Sequence, residues 1–450
     1  MGKYGDARPN ESGRQVSIRT VTRPKRSTRW RVEADICVVG AGISGISAAL
    51  EAARLGRKVA LVDGLPALGG QAVNSIIGTF CGLYSNGPEP YQLTHGIADD
   101  ILRDLGAKGA LHYARSPMTT VVYYDEIALS RWVEESVRSA GIQVLVGAIL
   151  RRVKLESKRI TELSLATRYG DVTVAATGFV DASGDAALVY EAGLPCRQPN
   201  LPIYGTQMVV LENLQEDKQV DYKEVSERLR TNGDAYGLLR KDGFAFFFPG
   251  RGTAALNMTH VETPLEPIAA NVKMLEGKRQ ADQVVEFLKA EFPDCYGKAH
   301  VRAYGLPGIR QTRWIVGCHQ LTEAEVRAGT RFSDAIGRTG WPIELHYQGD
   351  HLVWHPSADE PLHYIPLGSM VPPDVHNVVA AGRCIDGDAA ALSSVRVMGP
   401  CIAMGAAAAH ALDLAGKGSV HRINIHALQK RLAQNLEDPA PAKPADAADD

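Results

Sequence analysis

The sequence has no CxxC pair, no apolar run near the roughly 18 residues of a membrane span, and no surplus of either charge. Its seven cysteines (Cys37, Cys81, Cys196, Cys295, Cys318, Cys384 and Cys401) are scattered and odd in number. That argues against a disulfide framework or a thiolate zinc site and points to reduced thiols in a cytoplasmic protein. Lysine plus arginine number 49 against 51 for aspartate plus glutamate, a formal charge of −2. This balance excludes a strongly basic nucleic-acid binder and leaves only a local patch. The N-terminal stretch carries Lys3, Arg8, Arg14, Arg19, Arg23, Lys25, Arg26 and Arg29 without the apolar core of a secretory signal. Asp6 and Glu11 weigh against a transit peptide. What the chain does have is length and glycine: 450 residues, 45% hydrophobic and 22% charged, with 44 glycines. This is the composition of an ordinary globular protein, with about two or three domains at roughly 150 residues each.

Asp35–Gly40 (DICVVG) reads as a short buried strand, Ile43–Gly56 as a helix of small residues, and Lys58–Asp63 (KVALVD) as a second buried strand. Strand, glycine turn, helix, strand opens a doubly wound α/β domain. Helical spacing recurs over Asp125–Ala140. Runs at Ile142–Val146, Ile149–Leu155, Ile160–Ala166 and Val172–Ala176, parted by short turns, predict an antiparallel meander, with Phe179–Ala182 as a further buried strand. From Leu201 to Ile365, runs such as Ala245–Phe248 alternate with amphipathic stretches, which suggests a mixed α+β region. Asn377–Ala381 returns to the buried-strand pattern, and Met398–Ala415 reads as a small-residue helix opened by Gly399-Pro400. The expected organisation is a basic arm (1–30), a first α/β segment (31–200), an inserted substrate or cap domain (201–365), the second α/β segment (366–430) and a disordered tail (431–450).

Gly40-Ala41-Gly42-Ile43-Ser44-Gly45 is GxGxxG between a strand and a helix. In that pattern Gly40 permits the tight turn, Gly42 the approach of a diphosphate and Gly45 close helix–sheet packing. The helix start then offers free amides and a positive dipole end. Asp63, about twenty residues on at the end of the second strand, suits a ribose 2′-hydroxyl. A lone GxGxxG is often only a glycine turn; its context here points to a dinucleotide. Leu68-Gly69-Gly70-Gln71-Ala72 follows at once and would let a long cofactor pass, which favours FAD over NAD. Only one GxGxxG is present, so a second dinucleotide in a fold of this kind is not expected.

On these segments, together with FCGLY, FVDASGDAAL, GIRQTRWIVG, YIPLGSMVP and NVVAAGRCIDGDAAALSSVRVMGPCIAMG, the chain resembles FAD-dependent oxidoreductases of the glutathione-reductase-type-2 superfamily. The likeness is to the group related to fumarate reductase flavoproteins, and it runs from about Ala34 to Ala415. The resemblance implies a discontinuous Rossmann-like FAD-binding domain of three-layer ββα character around an inserted α+β substrate domain. It implies that Gly40, Gly42, Ser44 and Gly45 meet the pyrophosphate, Asp63 the adenosine ribose, and Leu150 of the meander the adenine. Gly69, Gly70 and Gln71 would line the cofactor. Asp181, Gly184 and Asp185 match a second FAD motif, and Gly382, Arg383 and Asp386 a motif near the ribitol. Gly399 and Pro400 would start a helix facing the flavin pyrimidine. Gly405-Ala406-Ala407-Ala408-Ala409 departs from the glycine- and glutamine-containing run of relatives, which is expected to alter helix packing more than FAD affinity.

The expected function is hydride transfer between a small organic substrate and the flavin N5, with the arginines below motivating an anionic one. Arg310 and Arg313 of GIRQTRW and Arg396 of SSVRVMG suit a carboxylate clamp. An internal ion pair joining two domains is an equal reading for Arg396. It is the preferred one for Arg310 and Arg313, which lie three apart and on neighbouring faces if helical. Candidates for the base are His346, His319, Tyr304, His95 and Tyr84, with His346 preferred. His346, His351 and His355 read as a hairpin rather than a metal site, and no metal is expected. Cys81 could approach the flavin, although a buried apolar thiol is the commoner case. The expected partners are a small-molecule substrate and an electron acceptor, oxygen or a carrier; nucleic acid and membrane are not expected, and self-association is left open. The competing readings are a flavoprotein monooxygenase and, on the basic arm alone, a flavin-dependent RNA-modifying protein.

Overall fold

The computed structural model describes residues 30–115, 119–347, 350–356 and 362–438, together with Thr20 and Thr22. Almost all of the expected basic arm, and the tail beyond Asp438, lie outside the described residues. Strand β1 (Trp30–Val39) leads through a glycine turn into helix α1 (Ile43–Arg54) and strand β2 (Val59–Asp63). Strands β3 (Gln143–Val146), β4 (Ile149–Glu156), β5 (Arg159–Thr167) and β6 (Gly170–Asp181) follow. β1 lies parallel to β2, and β2 to β3. The continuous apolar runs of β1 and β2 fit this placement, because inner strands of a parallel sheet are covered on both faces.

Two strand assignments differ from expectation. Ile142–Val146 is not part of the meander; it forms the parallel edge strand β3 beside β2. Val172–Ala176 and Phe179–Ala182 are not separate; both belong to β6, which runs parallel to β1 from Val172 beside Trp30 to Asp181 beside Val39. The first half of β6 pairs antiparallel with β5, and β5 in turn with β4. Further helices of this region span Ile97–Ala107 and Glu126–Ser139, the latter with the Asp125 carboxylate accepting from Ala128 N at its start.

The middle of the chain builds a second centre. Strands β7 (Val209–Glu212), β8 (Phe244–Phe248) and β9 (Thr253–Asn257) precede the long helix α2 (Pro267–Glu291) and strand β10 (His300–Tyr304). The four strands form an antiparallel sheet in the order β8-β9-β7-β10. Glu266 caps α2 by accepting from Ile268 N and Ala269 N, and Pro267 occupies the first turn. Val284, Phe287 and Leu288 of α2 pack with Leu211 and Leu256 in a hydrophobic cluster separate from that of the main sheet.

Strand β11 (Ile343–Tyr347) pairs with residues 350–354 as a hairpin. The chain then rejoins the first sheet: strand β12 (Val378–Ala380) lies parallel to Phe179–Asp181 at the end of β6. Helices α3 (Ala389–Val395) and α4 (Met398–Ala415) follow. By length and composition α4 alone among the described helices could cross a membrane, but 72% of it is buried, packed along α1 inside the fold. The expected tail also begins later than residue 431. Leu432 and Asn435 are buried, Asn435 Oδ1 accepts from His95 N, and Asp438 pairs with the buried Arg338. These contacts hold residues 432–438 against the body of the protein.

Candidate functional site

The turn after β1 is built by steric exclusion. Gly40 has φ +104°, and a β-carbon there would come within 2.2 Å of Ala182 O. A β-carbon on Gly45 would lie 1.8 Å from Gly40 O. Gly69 N donates to Ala41 O, and a β-carbon on Gly70 would lie 2.6 Å from Gly42 Cα. Gly42 is the exception, since a β-carbon on it would meet nothing within 4 Å. The turn is thus packed from three sides and open at Gly42. No side chain caps α1, and no acid sits in its first turn, so its amides and dipole face that opening unopposed.

Asp63 closes one end of this cradle. Its two oxygens accept from Ala41 N at 2.5 Å and Leu65 N at 2.7 Å. Burial pushes its pKa up, while the two amides pull it down. Each oxygen keeps a second lone pair for a further donor. The segment leading to Leu150 runs alongside: Gly147 N donates to Leu65 O and Ala148 N to Asp63 O. Gln71 lies in the short helix Gly70–Asn74 that follows the double-glycine turn.

The second and third motifs meet each other. Gly382, at φ +72°, comes so close that a β-carbon would lie 2.6 Å from Ser44 Oγ. A β-carbon on Gly184, at φ +80°, would lie 2.3 Å from Arg383 Nη2. Cys384 Sγ accepts from Gly184 N at 3.0 Å and so ties the two loops. Arg383 lies 3.6 Å from Asp185, and its buried Nη1 has no hydrogen-bond partner. Asp185 also accepts from Thr312 Oγ1. Asp181 and Asp386 differ from these half-buried groups. Both are fully buried and accept internal bonds, Asp181 from Ser183 and Val189 N, and Asp386 from Arg197 and Gly317 N. They shape the loops from within.

The start of α4 meets the loop Cys81–Gly82. Gly399 N donates to Cys81 O, and a β-carbon on Gly399 would strike Gly82 O at 2.3 Å. Pro400 Cδ lies beside Gly82. Neither a capping side chain nor a first-turn acid opposes the dipole of α4. Burial pushes the Cys81 thiol up to about 12. It is therefore protonated at neutral pH and a poor nucleophile.

Of the four residues expected on the substrate side, three converge. Arg310 Nη1 donates to Tyr204 O at 2.6 Å, and Tyr204 N donates to His346 O at 2.8 Å. The buried His346 ring meets that of His260 edge-on, with centroids 5.8 Å apart. Arg396 follows α3 as its C-cap and is among the charges acting on Arg310. Arg313 goes elsewhere. GIRQTRW is not helical, so the two arginines do not share neighbouring faces; Arg313 stacks on Tyr190, 3.6 Å from its centroid. The other base candidates are scattered as well. His319 pairs with Glu325, His95 with Asp99, and Tyr304 with Asp282; burial, helped by that contact, pushes Tyr304 up to about 12. Tyr84 packs on Tyr113.

Sequence reading missed Glu344. It alternates with His346 along β11, so the two share a face, and its amide donates to Ser393 Oγ on α3. It acts electrostatically on Arg310, Arg396 and Cys81. The period of two in IELHY was the available signal.

A family model described as FAD dependent oxidoreductase matches residues 35–432. Among solved structures, a geranylgeranyl bacteriochlorophyll reductase-like protein from Thermoplasma acidophilum aligns with 90% of this chain and 86% of its own, at 13% identity and a TM-score of 0.48. The flavin-dependent brominase Bmp2 aligns with 89% of this chain and 83% of its own, at 11% identity and a TM-score of 0.44. The p-nitrophenol 4-monooxygenase PnpA from Pseudomonas putida DLL-E4 aligns with 91% and 82%, at 10% identity and a TM-score of 0.43. No curated protein matches the sequence.

Proposed function

Because the chain belongs to the FAD-dependent oxidoreductase family, we propose that FAD lies across the Gly40–Gly45 turn and that Arg310, Arg396 and His346 face the substrate. The observation that carries this reading is the opening at Gly42, in a turn where Gly40, Gly45 and Gly70 leave no room for a β-carbon. The chain's residues fit the cofactor. The first-turn amides of α1 would hold the diphosphate, and the spare lone pairs of Asp63 the ribose hydroxyls. The unpartnered Nη1 of Arg383 offers a donor between the second and third motifs. The uncapped start of α4 offers a positive dipole end where negative charge is to be stabilised. FAD supplies hydride chemistry, with a small organic molecule as the other reactant. The protein's part is to hold that molecule with the guanidinium groups and to take a proton on a ring nitrogen of His346.

The finer kinship, to the glutathione-reductase-type-2 superfamily and its fumarate-reductase-related group, is supported by the ordered blocks from VVGAGISG to VRVMGPC. A cytoplasmic location is supported by seven unpaired thiols. The test is anaerobic bleaching of the bound flavin across hydroxy acids, amines, sugars and cyclic alcohols. Arg396→Ala should slow bleaching by the active compound without lowering flavin content. Absence of bleaching throughout, with oxygen uptake and a hydroxylated product, would replace this reading with a monooxygenase.

A further inference from the structure

We propose that two copies of this chain associate through the first half of helix α2, running antiparallel about a two-fold axis at Val272. Along α2, positions 268, 272, 275, 279, 282 and 286 follow one another in steps of four and three and so share one side. All six are exposed, whereas Gly277, Ala281, Val284 and Leu288 on the opposite side are buried in the fold. The exposed side changes character midway. Ile268, Val272 and Leu275 are 75%, 57% and 67% exposed, and Leu265 just before the helix is exposed as well. The later three positions are Arg279, Asp282 and Glu286. The water-facing side of a surface helix is ordinarily polar, as the second half of this one is. Large aliphatic residues in steps of four and three are instead the seam of a helix pair.

Charge decides what covers the seam and in which orientation. A parallel pair would lay Arg279, Asp282 and Glu286 against their own copies, like charge on like charge. An antiparallel pair about Val272 sets residue 267 level with residue 277 of the partner subunit. The two helices then overlap only where the seam is aliphatic, with Ile268 beside Leu275 of the partner subunit. From Arg279 onward the charged positions run past the start of the partner helix. Glu266 stands at that start, its carboxylate accepting from Ile268 N and Ala269 N. Side chains on a helix lean toward its N-terminus, which brings the fork of Arg279 to Glu266 of the partner subunit. Both residues are exposed, and neither forms an ion pair with a described residue. The two-fold axis makes this pairing twice, which is the self-complementarity a symmetric dimer requires. The overlap is about 16 Å of one helix side. That is a small part of the roughly 800 Å² per partner buried by a standard interface, so the dimer is weak and reversible.

Sedimentation velocity of the flavin-loaded, full-length protein over about 1–200 µM reads this, the span in which micromolar association shows. Dimer should grow with concentration. Val272→Glu puts two carboxylates at the axis and should weaken the dimer at least about tenfold. It should keep the melting temperature of the parent, because the side chain it replaces is exposed. Arg279→Glu and Glu266→Arg should each weaken self-association several-fold by facing like charges. Mixed in equal amounts, these two variants should form a heterodimer near the affinity of the parent, since both ends are paired again. A purely local role for either residue gives no recovery on mixing. Should Glu266→Arg fail to fold, the double variant Glu266→Gln/Arg279→Gln should weaken the dimer no more than either single change. A parent that stays monomeric throughout, a dimer indifferent to Val272→Glu, or no recovery on mixing overturns the inference. So does either other occupant of the face: phosphatidylcholine vesicles, bound in place of a second copy and lost with Val272→Glu, or residues 1–29, if a dimer forms only after their removal. A colourless protein that still dimerises counts against the flavin reading and leaves this inference standing.

Discussion

A β-carbon on Gly405 would lie 2.2 Å from the carbonyl oxygen of Ser44. The late helix α4 and the early helix α1 are thus in backbone contact, and Ser47 Oγ reinforces the pair by donating to Ile402 O at 2.7 Å. Residues some 360 positions apart in sequence are thereby joined at the base of the Gly40–Gly45 turn. Gly405→Ala should destabilise the protein by about 1–3 kcal/mol or more, since overpacking here strikes backbone rather than a flexible side chain. Chemical denaturation of the purified variant measures this, and an unchanged midpoint would show that the helices can move apart freely.

The C-terminal segment yields a sharp boundary. Arg338 is almost wholly buried, and its guanidinium donates to Asp438 Oδ1 and Glu437 O. Ending the chain after Asp438 should leave stability unchanged. Ending it after Leu436 strands the guanidinium and should cost about 3–5 kcal/mol, the usual scale for a buried charge stripped of its partner. The difference between the two melting temperatures reads this directly.

His363 should make stability depend on pH. Its Nε2 meets Ser394 Oγ at 2.7 Å, and that hydroxyl donates to Trp341 O, so Nε2 must carry the hydrogen. The buried Nδ1 is then the unprotonated nitrogen, and it has no hydrogen-bond partner. Burial pushes His363 down to about 3. An unfolded histidine titrates at about 6.5, so between these values the unfolded chain binds a proton that the folded chain refuses. The contribution of His363 to stability is therefore complete above about pH 6.5. It falls by about 1.4 kcal/mol per unit as the pH drops below that. His363→Gln should remove this part of the slope; denaturation midpoints of both proteins across that window would show it, and parallel curves would contradict it.

Much of this was legible in sequence because the signals were local. The strand, GxGxxG turn, helix and acid all lie within Asp35–Asp63, and each has its own short-range pattern. Partners chosen at long range were not legible. Nothing in Gln143–Val146 says that it lies beside β2 rather than in the meander, and Gly178 interrupts a strand that β1 holds continuous. Arg310 and Arg313 have helical spacing, but their segment is not helical. Glu344 reads as the solvent-facing member of a short strand until α3, some fifty residues on, brings Arg396 to it.

The flavin content of Gly42 variants tests the central claim most directly. Gly42 has an ordinary φ of −73° and open space around it, so nothing in the protein itself requires glycine there. Gly42→Ala and Gly42→Asp should therefore fold, with flavin-free melting temperatures close to that of the parent. The parent should purify yellow, Gly42→Ala should bind FAD weakly, and Gly42→Asp should be colourless because a carboxylate takes the place of the diphosphate. A Gly42→Asp protein that keeps the flavin-to-protein ratio of the parent would contradict the account.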